Sequence, residues 1–253
     1  MSRTFHITVA YEGTAYGGWQ VQNDVATIQG VLERAAEAVN GHPGRVLGAG
    51  RTDAGVHARA QAARFRTERD LCPQRVPHAL NAHLPEDVVV NAAREVPENW
   101  HPIGDATAKG YRYTFRVAEF EDPCRRRFVH RVSDALDVDA MRAAAAFLIG
   151  RHDFAPFEKS GSPRDSTHRT LARLDVLREG DYTYVDFEGD GFLYGMARNL
   201  AGTLFRVGRG RLDPERIPGA LADGDKSIAG PRLPAQGLCL MGVAYGEPAG
   251  GDL

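Results

Sequence analysis

Two stretches of this sequence alternate with a period of two, and each is followed by a helix-period pattern; that pairing constrains the fold more than any single motif. Between residues 4 and 11, Phe5, Ile7, Val9 and Tyr11 share one face, as in a half-buried strand. Lys109, Tyr111, Tyr113, Phe115 and Val117 do the same, with Arg112, Thr114 and Arg116 on the opposite face. After the first stretch, Thr27 is placed to cap a helix in which Ile28, Val31, Leu32, Ala35 and Val39 keep the 3.6-residue period until Asn40-Gly41. This helix is expected to lie on the sheet. After the second, a helix over residues 139–149 carries Met141, Ala144, Ala145 and Leu148 on its apolar stripe, with Gly150 as its stop.

The remaining pattern is read in the same way. Short strands are expected at 45–47, 60–66 and 88–95, and a short helix at 74–80. Glu98-Asn99-Trp100-His101, flanked by Pro97 and Pro102, reads as an exposed connection. It sets a domain boundary near Asp105, giving domains 1–105 and 106–253. Residues 157–170, rich in Ser, Gly, Pro and charge, read as a mobile loop, and 171–177 with 182–187 as a hairpin around Glu179-Gly180-Asp181. In a last long helix Leu193, Met196, Leu200, Leu204 and Val207 form the core stripe. Arg198 sits about 200° from Met196 at roughly 100° per residue, pointing away from that stripe. A short helix within 212–226 and a strand at 238–245 complete the chain.

One loop stands out chemically. Gly48-Ala49-Gly50-Arg51-Thr52-Asp53-Ala54-Gly55-Val56-His57 sets one acid between an arginine and a histidine on a glycine-punctuated backbone, which a tight turn can present outward. A carboxylate serves as nucleophile, general base or metal ligand. No second carboxylate lies in the loop and the nine histidines follow no ligand spacing, so no metal is expected. Walker and Rossmann signatures and the Gly-x-Ser-x-Gly elbow are missing, so no nucleotide cofactor is implied. An arginine within about 4 to 6 Å would hold the acid as its anion. That suits a nucleophile, and it equally suits a structural ion pair.

Composition bounds the compartment and the partner. With 43% hydrophobic and 25% charged residues over 253 positions, there is ample material for a core. The N-terminus has no apolar leader, the longest apolar run falls far short of the roughly 20 residues of a membrane span, and Cys72, Cys124 and Cys239 are dispersed. A cytoplasmic protein with reduced cysteines is expected. The net charge is -2, yet among 31 basic side chains only Lys109, Lys159 and Lys226 are lysines. Arginines concentrate at 51, 59, 64 and 66 and at 125, 126, 127 and 131, and their planar forks suit phosphates and base edges as well as a solvated surface. Tyr16-Gly17-Gly18-Trp19-Gln20-Val21-Gln22 offers aromatic and amide groups for stacking on bases, or a tryptophan for the core.

Gly50-Arg51-Thr52-Asp53-Ala54-Gly55-Val56-His57 resembles the active-site signature of the TruA family of tRNA pseudouridine synthases. The resemblance continues at Tyr11-Glu12-Gly13-Thr14 with Gly18-Trp19-Gln20, at Ala108-Lys109-Gly110-Tyr111-Arg112-Tyr113, at Phe192-Leu193-Tyr194-Gly195-Met196-Ala197-Arg198-Asn199, and at Pro234-Ala235-Gln236-Gly237-Leu238-Cys239-Leu240. The blocks run in family order over nearly the whole chain. The resemblance implies an α+β pseudouridine synthase fold: two α/β domains with mostly antiparallel mixed sheets, helices packed on one side and a central basic cleft. It implies an isomerase acting on uridines 38, 39 and 40 of tRNA, which detaches the uracil, turns it and rejoins it to ribose through carbon. Asp53 would be catalytic, attacking either the uracil ring or the sugar. Tyr111 would stack on the target base and assist proton removal from the ring carbon, and Arg198 would pair with the aspartate. Arg51 would fill the space left by the flipped base, with Thr52, His57, Gln20 and Leu238 as further substrate contacts. It further implies a homodimer sharing one tRNA, and no cofactor or metal.

Departures from the family pattern fall on the periphery. Gly195 and Ala197 stand where the family commonly has His and Val, Pro102 where it has an arginine after His101, and Glu158 where it has a basic residue. They touch RNA contacts rather than Asp53, Tyr111 or Arg198. Taking a base out of its stack costs a few kcal/mol and calls for a stacking partner and cationic support, chemistries that Tyr111, Arg51 and Arg198 possess. Two rival classes remain open: a non-catalytic RNA-binding or RNA-folding module, and an aspartate-nucleophile hydrolase active without RNA.

Overall fold

In a computed structural model, residues 2–159 and 166–246 are described. The elements in chain order are β1 (Arg3–Tyr11), α1 (Ile28–Asn40), β2 (Leu47–Gly48), β3 (His57–Thr67), α2 (Arg75–Asn81), β4 (Val88–Val96), β5 (Ala106–Val117), β6 (His130–Val132), α3 (Val138–Ala146), β7 (Gly150–Asp153), β8 (His168–Glu179), β9 (Tyr182–Gly189), α4 (Met196–Gly208), α5 (Arg216–Asp223) and β10 (Leu238–Tyr245). The chain divides into two compact units, residues 1–107 with 239–253, and residues 108–238. The fold is α+β with mostly antiparallel strands. The closing strand, counted with the second domain in the sequence reading, belongs to the first unit, because β10 pairs in parallel with β3 through Cys239–His57 and Leu240–Ala58.

In the first unit β1 is central, antiparallel to β3 on one side and β4 on the other. The alternation that marks β1 packs as expected: Phe5, Ile7 and Val9 are fully buried, facing Phe65, Ala63 and Gln61 of β3. Helix α1 begins where its cap residue stands, with Thr27 Oγ1 accepting from the Gly30 N–H at 3.2 Å, and ends on Gly41 in the left-handed region. Its Ile28, Leu32 and Ala35 enter the core. The strand expected at 45–47 is reduced to Leu47–Gly48. The α1 residue Glu33 takes the Val46 N–H at 3.1 Å, and Gln29 donates to the Val46 carbonyl at 3.1 Å, so side chains replace the ladder there. Trp100, read as part of an exposed connection, is buried: it stacks on His6 at 5.0 Å and lies 5.2 Å from Tyr245.

In the second unit the order is β5-β9-β8-β7, all antiparallel, with β6 added in parallel to β5. Tyr111, Tyr113 and Phe115 lie on the buried face of β5, and Phe115 stacks on Phe205 of α4 at 5.6 Å. On the other face Arg112 grips Asp186 of β9 with two hydrogen bonds of 2.7 Å. Helix α3 stops at Ala146, short of Ile149, because Gly150 (φ 105°) opens β7 instead of capping the helix. Of the loop expected at 157–170, residues 160–165 lie outside the described residues. Ala155–Phe157 form a 3₁₀ turn with Phe157 fully buried, and β8 has begun by His168.

Helix α4 departs from a one-sided amphipathic helix. Besides Met196, Leu200, Leu204 and Val207, the residues Ala197, Ala201, Gly202 and Thr203 are buried. Residues 226–234 form a strap over that second face. Thr203 Oγ1 donates toward the Ile228 carbonyl (3.0 Å) or its own helix and accepts from the Gly230 N–H (2.8 Å), while Arg206 donates to the Ser227 carbonyl (2.8 Å). The strap comes so near that a Cβ on Gly202 would sit 2.1 Å from the Pro231 carbonyl oxygen.

Candidate active site

The separated sequence blocks converge within each unit. In the first unit, residues 11–20 wrap the loop that carries Asp53. The Thr52 carbonyl accepts from the Trp19 N–H at 3.0 Å, the Thr52 hydroxyl meets the Tyr11 hydroxyl at 2.9 Å, and the Gly13 N–H donates to His57 Nδ1 at 3.0 Å. That last bond leaves the imidazole proton on Nε2. The loop closes on itself through Val56 N–H to the Asp53 carbonyl (3.1 Å), and Gln61 of β3 donates to the Gly50 carbonyl (2.8 Å). Gly18, with φ 95°, lies against Thr52 and Asp53, where a Cβ would be 2.6 Å from the Thr52 carbonyl oxygen.

This packing sorts the residues singled out from sequence. Asp53 is half-buried at the loop's crest, Arg51 is exposed and Gln20 half-buried. Thr52 and His57, expected as substrate contacts, are buried beneath the crest and bonded to Tyr11 and Gly13. Trp19, open between base stacking and core filling, is core: it is 3% exposed and tilted against Tyr11 at 6.3 Å. One member of the loop's support, Gln61, is not singled out in the sequence, and Tyr11 reads there only as a strand-face residue and part of a family block. Gln61 had a signal in retrospect, as an amide opposite Val9 and two residues before the apolar Ala63 and four before the apolar Phe65.

In the second unit, β5, the turn at 192–195 and the segment 233–238 meet. Tyr111 is buried, with the Phe192 ring edge-on at 4.9 Å and 73°. Arg198, in the first turn of α4, is half-buried and donates from Nε to the Leu233 carbonyl at 2.7 Å. It does lie off the Met196 stripe, but the strap meets it there, so the face is covered rather than open. Tyr113 donates to the Pro234 carbonyl at 2.9 Å, and burial keeps its hydroxyl protonated well above the ordinary tyrosine range, with the Arg198 charge opposing in part. Leu238, expected as a substrate contact, is buried at the end of the 3₁₀ turn Ala235–Gly237.

At the N-terminus of α4, Lys159 and Arg232 both lie over the Tyr194 ring, at 4.9 and 5.6 Å. Asn199 ties the turn to the Phe157 carbonyl at 2.7 Å. Among the described residues, no group of three or more His, Cys, Asp or Glu side chains is arranged to hold a metal ion, and no helix is long and apolar enough to cross a membrane.

A family model described as tRNA pseudouridine synthase matches residues 7–103 and 144–246. The chain belongs to the tRNA pseudouridine synthase family. Among its relatives, the tRNA pseudouridine synthase A of Pelobacter propionicus is 44% identical over 96% of this chain and all of its own length. Those of Geotalea daltonii and of Thermoanaerobacter sp. are 42% and 39% identical over the same shares. The family model covers the segments that carry Asp53 and Arg198, and the relatives' similarity runs over nearly the whole chain.

Proposed function

We propose that this chain converts uridine to pseudouridine at positions 38, 39 and 40 in the anticodon stem and loop of tRNA. The reaction is an isomerisation: the bond from uracil nitrogen to the ribose carbon breaks, the base turns, a ring carbon bonds to the same ribose carbon, and the ring carbon's proton moves to the freed nitrogen. Nothing is consumed, so the chemistry needs a nucleophile, a proton acceptor and a way to hold the base out of its stack. Asp53 is the nucleophile, Tyr111 the aromatic platform and aid to proton removal, and Arg198 the cationic support. Arg51 occupies the gap left by the flipped base. Gln20 is read as a further RNA contact, whereas Thr52 and His57 act from beneath the loop and Leu238 from the packed segment behind Tyr113. The active form is read as a cytoplasmic homodimer sharing one tRNA.

The observation that carries this reading is the Asp53 loop, clamped from several sides through its backbone while the aspartate itself stays half-exposed at its crest. Such rigidity suits a group that must meet a reacting atom in one orientation. Pseudouridine mapping in an unmodified tRNA transcript tests it. Wild type should modify 38–40, and Asp53→Ala should bind the tRNA as tightly while forming no pseudouridine. A wild type that binds tRNA without forming pseudouridine would instead mark an RNA-binding module. Sedimentation of the protein with and without tRNA checks the dimer.

A further inference from the structure

Beneath the Asp53 loop, one buried side chain is unlike its neighbours. Gln61 on β3 lies opposite Val9 and is 0% exposed; Ala63 and Phe65, next on the same strand face, are as buried and wholly apolar. Its Nε2 donates to the Gly50 carbonyl at 2.8 Å, three residues before Asp53. The opposite amide orientation would set two acceptors face to face, so Gly50 fixes which end is the NH₂. The remaining atom, Oε1, is also buried and has no hydrogen-bond partner among the described residues.

An unmatched carbonyl in a core costs about 1 to 3 kcal/mol, whereas a typical hydrogen bond contributes about 0.5 to 1.5 kcal/mol net. Gln61→Met removes this unmatched carbonyl but leaves the half-buried Gly50 carbonyl without its donor, two costs of similar size that offset, so stability alone does not select glutamine here. We propose that Gln61 is a positioning residue: it anchors the Gly50 carbonyl, and with it the incoming limb of the loop, so that Asp53 is held in its reacting orientation. The other bonds grip the middle and the outgoing limb, at Thr52, Asp53–Val56 and His57. Gln61 supplies a side-chain grip on the incoming limb, where the chain has just left its pairing at Ala49–Ala62. This inference rests on Asp53 being the nucleophile.

The test is Gln61→Met, measured three ways against wild type and Asp53→Ala: thermal midpoint, tRNA affinity and single-turnover rate of pseudouridine formation. Small misplacements of a reacting group cost up to about 100-fold. The expected result is a midpoint close to that of wild type, an unchanged tRNA Kd, and a single-turnover rate at least about 10-fold lower. A rate within twofold of wild type overturns the proposal. So does a Gln61→Met protein that is unfolded or melts well below wild type, because Gln61 is then a structural residue. A wild type that binds tRNA but forms no pseudouridine refutes the Asp53 reading itself, an outcome separate from an active wild type with an equally active Gln61→Met.

Discussion

Tyr111 is the residue whose two proposed roles can be pulled apart. Its ring, buried against Phe192, is a ready platform, and base stacking on an aromatic side chain contributes about 1 to 3 kcal/mol per base. Its hydroxyl is the part that would aid proton removal, an effect of about 10² to 10⁴-fold. Tyr111→Phe is therefore expected to keep tRNA affinity while slowing single-turnover pseudouridine formation by that range. Tyr111→Leu should lose affinity as well. An equal loss of rate and affinity in Tyr111→Phe would place the hydroxyl in binding only. A second residue, His6, contributes to behaviour in acid. Burial, and then the nearby Arg94, push its pKa down to about 4, and its Nδ1 accepts from Arg94 Nε at 2.8 Å. Because the folded state holds this proton more weakly than the unfolded chain does, its contribution is complete above about pH 6.5 and is lost as pH falls toward 4. The thermal midpoint should fall across that window, and less so in His6→Phe, which keeps the stack on Trp100. A window unchanged in His6→Phe would rule this group out. None of this was visible locally: the aromatic cluster joins β1, the segment after β4 and the last strand, and the flanking Pro97 and Pro102 alone placed Trp100 in an exposed connection.

Among the elements, α1 was legible almost to the residue because its signals are local: a threonine cap, an apolar stripe and a glycine stop. Helix α4 was half legible. The stripe through Met196 and Val207 follows from periodicity, but the burial of its second face comes from the strap, which lies more than twenty residues further along and has no period of its own. The loop at Asp53 was legible as a glycine-punctuated turn and in its family resemblance. Its supports were only partly so: alternation put Tyr11 on a buried strand face, but the hydroxyl bond to Thr52, the Trp19 backbone contact and the Gln61 bond to Gly50 depend on backbone approach that no spacing announces. Gly202→Ala tests the strap. Alanine favours an isolated helix over glycine by about 1 kcal/mol, yet its Cβ would collide with the Pro231 carbonyl. We expect the collision to win, with a lowered thermal midpoint and slower pseudouridine formation as Leu233 withdraws its carbonyl from Arg198. A midpoint at or above wild type would show that the strap gives way without consequence.

For the molecule as a whole, a net charge of -2 and an arginine-dominated basic set are compatible with RNA binding. Each phosphate neutralised releases counterions, so tRNA affinity should fall steeply and linearly on a log–log plot as salt rises. Filter binding that stays flat from low to moderate salt would count against phosphate contacts. The order of the units along the chain has its own outcome. Strand β3 takes its parallel partner β10 at His57 and Ala58, directly after the Asp53 loop, and everything from 108 to 238 intervenes in sequence. On the ribosome, that stretch of β3 therefore stands as an open edge, a hazard for mispairing, until β10 has cleared the exit tunnel. The loop proposed for catalysis gains its full framework only then, so synthesis itself would keep an unfinished chain from acting on RNA.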